Sequence, residues 1–423
     1  MKTLRANKLI LGLAAVAGAA AALAADLPTA AEFQANWPRF RGPGGAGVSA
    51  QGEVPLTCDL KTGANIVWTA AVPAAGFSSP VVWGSRVFLS GGDEAACEVM
   101  CFDVPTGKLL WQRAVPKAAG NTEEKAEVPD QCGMAAATMA TDGRRVYAMF
   151  ANGDLAAFNF DGSVVWSKNL AVPKNPYGHA TSLLTWQDRV IVQFDQGLPD
   201  DELSKLYAFD GATGAVVWVQ PRPTGASWAT PIVFEAAGQS QVVTLAVPWV
   251  IAYSAKDGKE LWRADCLDGE VTPSPIFAGG LLLVPSPSVK LQAIRPDGHG
   301  DVTKTHLGWV AEDGIPDVTS PVSNGELVFV CDSGGMLTCY DAKDGKKQWQ
   351  QDFGDGCNAS PSIAGNRLYF ITKKGVLVVV EVARKFKELA RSPLGEPVFA
   401  SPAFAQNKIF VRSMKRLICI GTK

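Results

Sequence analysis

An all-β chain, folded as eight four-stranded antiparallel blades closed into a ring by its own N-terminal strand, is what the sequence predicts. Three observations carry this. A Trp recurs at 68, 111, 166, 218, 262, 309 and 349, with Leu389 in the place of the next one, and successive marks lie 40 to 55 residues apart. That is the length of a four-stranded propeller blade. A small or hydroxylated pair opens each repeat, at Ser79-Pro80, Ala137-Thr138, Thr181-Ser182, Thr230-Pro231, Ser274-Pro275, Ser320-Pro321, Ser360-Pro361 and Ser401-Pro402. Finally, both ends hold incomplete copies. The last repeat has three strands, from Ala400 to Ile420, while Thr62-Gly63 and Ile66-Val67-Trp68 repeat the turn-plus-Trp pattern before any first blade begins. Joining the two fragments leaves no open sheet edge in the ring.

The plainest copy is 319–353. Thr319-Ser320-Pro321-Val322 opens a strand, and Glu326 to Cys331 is a second, rich in β-branched and aromatic residues. Asp332-Ser333-Gly334-Gly335 turns the chain into Met336–Asp341, and Asp344-Gly345 turns it again into Lys346–Phe353. One such sheet cannot bury both faces, so it needs neighbours of its own kind. The domain expectation is therefore residues 1–25 as a secretory signal, 26–61 as an N-terminal arm, and 62–423 as one propeller, with 62–72 completing the last blade.

The signal reading rests on Lys2, Arg5 and Lys8 ahead of the apolar, Ala-rich run Leu9–Ala25, with small residues at Ala22-Leu23-Ala24. No Cys lies near that point, the first being Cys58, so no lipid anchor is expected. The expected location is periplasmic or secreted, with no membrane-spanning segment in the mature chain. The formal net charge is −2, and losing the leader makes it more negative. With no dense basic run, nucleic acid is not an expected partner. Nine Cys is an odd number, so at least one stays unpaired within the chain. Cys331 and Cys339 lie diagonally across one hairpin, where either a disulfide or two buried thiols fit the sequence.

Chemistry-bearing residues fall into a few groups. The Trp series has core spacing, with each indole expected to pack between blades and its N–H to bond backbone. Aligning the repeats on their opening pairs sets Phe77, Ala135, His179, Trp228, Thr272, Val318, Asn358 and Phe399 in one register, just before the innermost strands. They are expected to ring one mouth of the central channel, where side chains from all blades converge. Phe77, His179, Trp228, Asn358 and Phe399 are the candidate ligand contacts, against the reading that they only plug the channel. Asp195, Asp200, Asp201 and Glu202 share a hairpin loop that either holds Ca²⁺ or is simply solvated. Asp297, His299 and Asp301 alternate in a Gly-rich turn. No catalytic set is visible: no G-x-S-x-G elbow, phosphate loop, H-E-x-x-H or dinucleotide fingerprint.

The segment Asp341-Ala-Lys-Asp-Gly-Lys-Lys-Gln-Trp349 resembles the Trp-docking repeat of quinoprotein (PQQ-like) propellers, a group spanning quinoprotein alcohol dehydrogenases and BamB-type outer-membrane assembly factors. Trp37-Pro38-Arg39-Phe40-Arg41-Gly42-Pro43, Gly300-Asp301-Val302-Thr303-Lys304-Thr305-His306 and the run Gly395–Gly421 look like exported PQQ-like proteins of planctomycete and verrucomicrobial type. The resemblance implies the propeller fold, and draws attention to Asp301, Thr303 and His306 as a functional loop in place of a short blade turn. The alternative is a loop that caps a blade edge. Arg39 and Arg41 either clamp the arm to the ring or grip an acidic group. A quinoprotein dehydrogenase implies adjacent cysteines over its quinone, and here no two Cys are adjacent. The functional expectation is a monomeric, non-catalytic envelope scaffold that binds a protein, peptide or carbohydrate through one channel mouth, without a cofactor. The alternative is an oxidoreductase for alcohols or sugars using PQQ with calcium.

Overall fold

The computed structural model describes residues 27–118, 126, 128–130 and 132–422; the leader expected at 1–25 lies outside the described residues. Eight sheets of four antiparallel strands follow one another around a ring. Blade 1 comprises Val81–Trp83, Arg86–Gly92, Cys97–Asp103 and Leu109–Ala114; blade 2 comprises Ala140–Thr141, Arg145–Met149, Asp154–Asn159 and Val164–Asn169. Blade 3 runs from Leu184 to Pro221 and blade 4 from Ile232 to Asp265. Blade 5 spans Ile276 to Ala311, blade 6 Val322 to Asp352, and blade 7 Ser362 to Pro393. Blade 8 takes Ala403–Ala405, Lys408–Arg412 and Arg416–Ile420 from the C-terminus and Ile66–Ala71 from the N-terminus, with Trp68 opposite Cys419 and Ala70 opposite Leu417. The ring is thus closed by strand exchange between the chain ends, as the half-copies predict.

The innermost strands carry a second closure. Each belt residue's backbone N–H donates to the hydroxyl of the next blade's counterpart, running Ser79, Thr138, Ser182, Thr230, Ser274, Ser320, Ser360, Ser401 and back to Ser79. All eight distances are 2.9–3.0 Å. The first residues of each inner strand have no strand beyond them to bond, so a buried N–H there needs a side-chain acceptor. A hydroxyl supplies it while being small enough for eight backbones to converge.

Between blades, the Trp series does the packing. Trp68, Trp111, Trp166, Trp309 and Trp349 donate Nε1–H to the carbonyls of Val104, Phe160, Gly211, Ala342 and Ala383 in the following blade's turn, at 2.7–3.0 Å. Turn glycines make room: a Cβ on Gly345 would stand 2.4 Å from the Trp309 ring. Two indoles depart from the expected backbone bond. Trp262 donates to the Gln241 side chain, because blade 5 has a long loop where the other blades have the short turn. Trp218 Nε1 is buried without a partner; Arg189 reaches the Ala255 carbonyl that occupies the equivalent place.

The arm crosses the ring on the side of the first hairpin turns. Trp37 exchanges both backbone bonds with Val82 of blade 1, and the Pro38 carbonyl accepts from Thr141 of blade 2. Val48–Ser49 then pairs in parallel with the inner strand of blade 7 at Ile363 and Ala364. Val54 runs out along the seam of blades 7 and 8, accepting from Arg367 and Tyr369. Trp37, Arg39 and Arg41 are each 1% exposed. Arg41 donates to the carbonyls of Ala46, Ser320 and Pro321, and Arg39 to Pro43. Arg41 therefore clamps the arm to blade 6, whereas Arg39 bonds only the arm's own Pro43 carbonyl, and neither side chain grips an acidic group.

Candidate functional site

The opposite mouth lies where the inner strands begin, two residues ahead of the hydroxyl belt. Counted from the belt, its ring is Phe77, Ala136, Ala180, Trp228, Thr272, Val318, Asn358 and Phe399. Every one of these is half-buried or exposed, while the residue following each is buried. The sequence alignment slips by one residue in blades 2 and 3, where it took Ala135 and His179. His179 is buried, 4% exposed, and stacks on Phe194 at 5.6 Å. Burial pushes its imidazole down to about 4, so it is neutral at physiological pH, and its Nε2 has no partner. It sits behind the mouth and does not line it.

The other candidates do reach the mouth. Phe77 and Phe399 meet edge to face at 5.8 Å across the seam of blades 8 and 1. The loop between blades 1 and 2 folds back here, with the Ala135 carbonyl accepting from the N–H groups of Phe77 and Ser78. Trp228 is fixed by Tyr177, edge to face at 5.0 Å, and by its Nε1–H to Asn175 Oδ1 at 2.8 Å. Asn358 holds a buried Oδ1 with no partner. The mouth is therefore aromatic on two arcs, with polar atoms between them, which suits apolar and hydrogen-bonding contacts together. Sequence reasoning missed Asn175 and Tyr177, which orient Trp228, and Arg412, buried beneath Phe77 and Phe399. The signal for Arg412 is a charged residue ending a strand where the equivalent position in blade 1 is Ser90.

Asp301, Thr303 and His306 lie elsewhere, on the rim between blades 4 and 5. Gly300–Asp301 adds a fifth, parallel strand to the outer edge of blade 4 at Trp262 and Arg263. Asp301 Oδ1 accepts from the Thr303 N–H and Thr303 Oγ1 accepts from the Asp265 N–H, both at 2.9 Å. Thr303, by its side chain first and its backbone N–H second, holds the Asp301 carboxyl below its ordinary range. His306 Nδ1 lies 2.7 Å from Thr305 Oγ1 and its Nε2 3.6 Å from Asp297 Oδ1. The polar atoms of this loop are spent on its own turn and on an edge strand that would otherwise be bare.

The acidic hairpin does not gather a cation site either. Asp195 turns inward to a fully buried pair with Arg222, with Nε–Oδ1 at 2.6 Å and Nη2–Oδ2 at 3.0 Å, braced by Gln193. Asp201 accepts from the Leu198 N–H, and Asp200 and Glu202 face solvent. Cys331 and Cys339 oppose Leu337 and Phe329 respectively, and both are free thiols. A hydrogen bond with the neighbouring Cys357 thiol, and then burial, push Cys331 well up. Among the described residues, no group of three or more His, Cys, Asp or Glu stands close enough to hold a metal ion. The adjacent cysteines implied for a quinoprotein dehydrogenase are not present in the sequence.

Comparison with known proteins places the architecture. The family model described as outer membrane protein assembly factor BamB matches residues 34–193 and 202–420. No curated protein matches the chain in sequence. Among solved structures, BamB from Moraxella catarrhalis superposes with a TM-score of 0.63 at 14% identity, covering 85% of this chain and 97% of that one. Quinohemoprotein alcohol dehydrogenase from Comamonas testosteroni gives 0.69 at 14% identity, covering 96% and 85%. A europium-containing methanol dehydrogenase gives 0.67 at 13%, covering 90% of each chain. At such identities these likenesses speak for the fold alone, while the family match extends over most of the sequence. The chain belongs to the family of the outer membrane protein assembly factor BamB, built on the PQQ-like β-propeller.

Proposed function

We propose that this protein is an exported, monomeric, non-catalytic scaffold of the cell envelope, which binds a protein, peptide or carbohydrate at the mouth ringed by Phe77, Trp228, Asn358 and Phe399. One observation carries the reading. The arm closes one end of the channel with buried Trp37, Arg39 and Arg41, while the other end keeps a ring of partly exposed aromatic and polar side chains. Aromatic residues set in a partly desolvated surface are the commonest anchors of binding interfaces. The printed description of the family, an assembly factor, supports a protein partner. No described helix is long and apolar enough to cross a membrane.

Capture from envelope extract tests this. The wild-type protein is expected to retain a partner that the double variant Trp228→Ala/Phe399→Ala loses, with unchanged thermal stability. A partner retained equally by both would refute the mouth. The same preparations, given PQQ with Ca²⁺ and a dye acceptor over alcohols and sugars, are expected to show no reduction. Turnover there would establish the oxidoreductase reading instead.

A further inference from the structure

The two ends of the ring differ in charge and in exposed apolar surface. The open end carries the turns between the second and third strands of each blade and the loops from each outer strand to the next inner one. Among its described residues carboxylates outnumber cations more than two to one, whereas on the turns of the closed end cations outnumber carboxylates. The large apolar side chains that stand exposed divide in the same way. Leu198, Val289, Val318 and Met414 lie on turns and loops of the open end, the others lie on outer strands, and no described turn of the closed end carries one. An end that is acidic and apolar together attracts cationic groups through its field and holds apolar ones on contact.

Both properties meet at Trp228. Its backbone N–H donates to the Val271 carbonyl, which sets Glu270 beside it. On its other side the Ala226 N–H donates to the Gly197 carbonyl, which brings in the hairpin of Leu198, Asp200, Asp201 and Glu202. Leu198 is 70% exposed, and the four carboxylates face solvent. Of the cations around them, Arg222 is paired with Asp195 and Lys290 with Asp268, which leaves Lys174 and Lys205 exposed against the four acids. The indole is held in place by Asn175 and Tyr177, so little side-chain freedom is lost when something docks on it. An indole beside carboxylates also suits a cation that carries an apolar stem.

We infer that this arc takes an extended, basic polypeptide segment, with lysine or arginine side chains against Asp200, Glu202 and Glu270 and apolar side chains against Trp228 and Leu198. An extended chain sends alternate side chains to opposite sides, so one short segment presents both kinds of group. The inference rests on the mouth reading above and names the partner class within it: a cationic chain, neither a carbohydrate nor an acidic peptide.

Three end-capped octapeptides, alternating valine with lysine, glutamate or threonine, are titrated into the protein by calorimetry. The lysine peptide is expected to bind at least tenfold more tightly than the other two, and to weaken at least fivefold from about 50 to about 300 mM salt as the field is screened. Asp200→Asn/Glu202→Gln/Glu270→Gln removes charge and keeps shape, and is expected to weaken the lysine peptide at least fivefold. None of these three carboxylates accepts a hydrogen bond from a described residue, so the fold does not depend on them. Asp188→Asn/Glu326→Gln, on turns of the closed end, is expected to leave the affinity within twofold. This pair separates attraction to the arc from attraction to an acidic protein. Equal binding of the lysine and glutamate peptides, binding of none, or equal losses from the two charge variants would overturn the inference. Should the mouth variants lose a captured partner while lysine and glutamate peptides bind alike, this inference falls and the scaffold reading stands. A lysine preference lost in the triple variant, with no partner lost by the mouth variants, would uphold the arc and fault the scaffold reading.

Discussion

Ser360 shows what a single belt residue contributes. Its hydroxyl accepts from the Ser320 N–H and its own N–H donates to Ser401. Ser360→Ala leaves one buried N–H unpaired, a cost of about 1–3 kcal/mol. Ser360→Thr keeps the acceptor and is expected to stay near wild type, both read by urea denaturation. His179 gives a pH-dependent test. Its folded value of about 4 lies below the ordinary 6.5, so between those values the unfolded chain binds a proton that the folded chain refuses. Stability is therefore whole above about pH 6.5 and falls as pH drops towards 4, by about 3 kcal/mol. His179→Gln is expected to flatten that slope while leaving the neutral-pH fold in place. The same residue shows where sequence reading slipped. Six blades fix the frame with a Pro after the belt hydroxyl, but Thr138 and Ser182 are followed by Met139 and Leu183. Two small or hydroxylated residues side by side, Ala137-Thr138 and Thr181-Ser182, then offer two registers one residue apart.

At the scale of the element, the Trp-bearing outer strands were legible because they recur, and their two exceptions were not because each depends on a neighbour. Trp262 lacks its usual acceptor only because the following blade carries the Gly300–Asp301 strand, a contact between segments 38 residues apart. The arm was legible as an arm, but not as a stopper, since its partners are backbone carbonyls of blade 6 and the Ile363 N–H of blade 7, which carry no sequence signature. The closing strand offers a direct test. Trp68→Ala removes an indole 9% exposed, with its bond to Val104, from the one blade that joins the chain ends. A cost of about 3–5 kcal/mol is expected. Trp349→Ala, at a half-buried position inside an unbroken blade, is expected to cost less. Equal losses would show that the closing blade is no more critical than its neighbours.

For the whole molecule, the two ends of the channel are unlike. One is filled by the chain's own arm, and the other keeps aromatic and polar side chains in contact with solvent. That asymmetry could not be read from the repeat alone, because a repeat treats both ends of every blade alike; it arises from where 37–49 lies. Photo-crosslinking in envelope extract probes it most directly, with the reactive residue placed either at Val318, exposed on the open mouth, or at Asn366, exposed at a hairpin turn of the closed one. A discrete adduct from Val318 and none from Asn366 is the predicted result. Adducts from Asn366 alone, or from both positions alike, would contradict it.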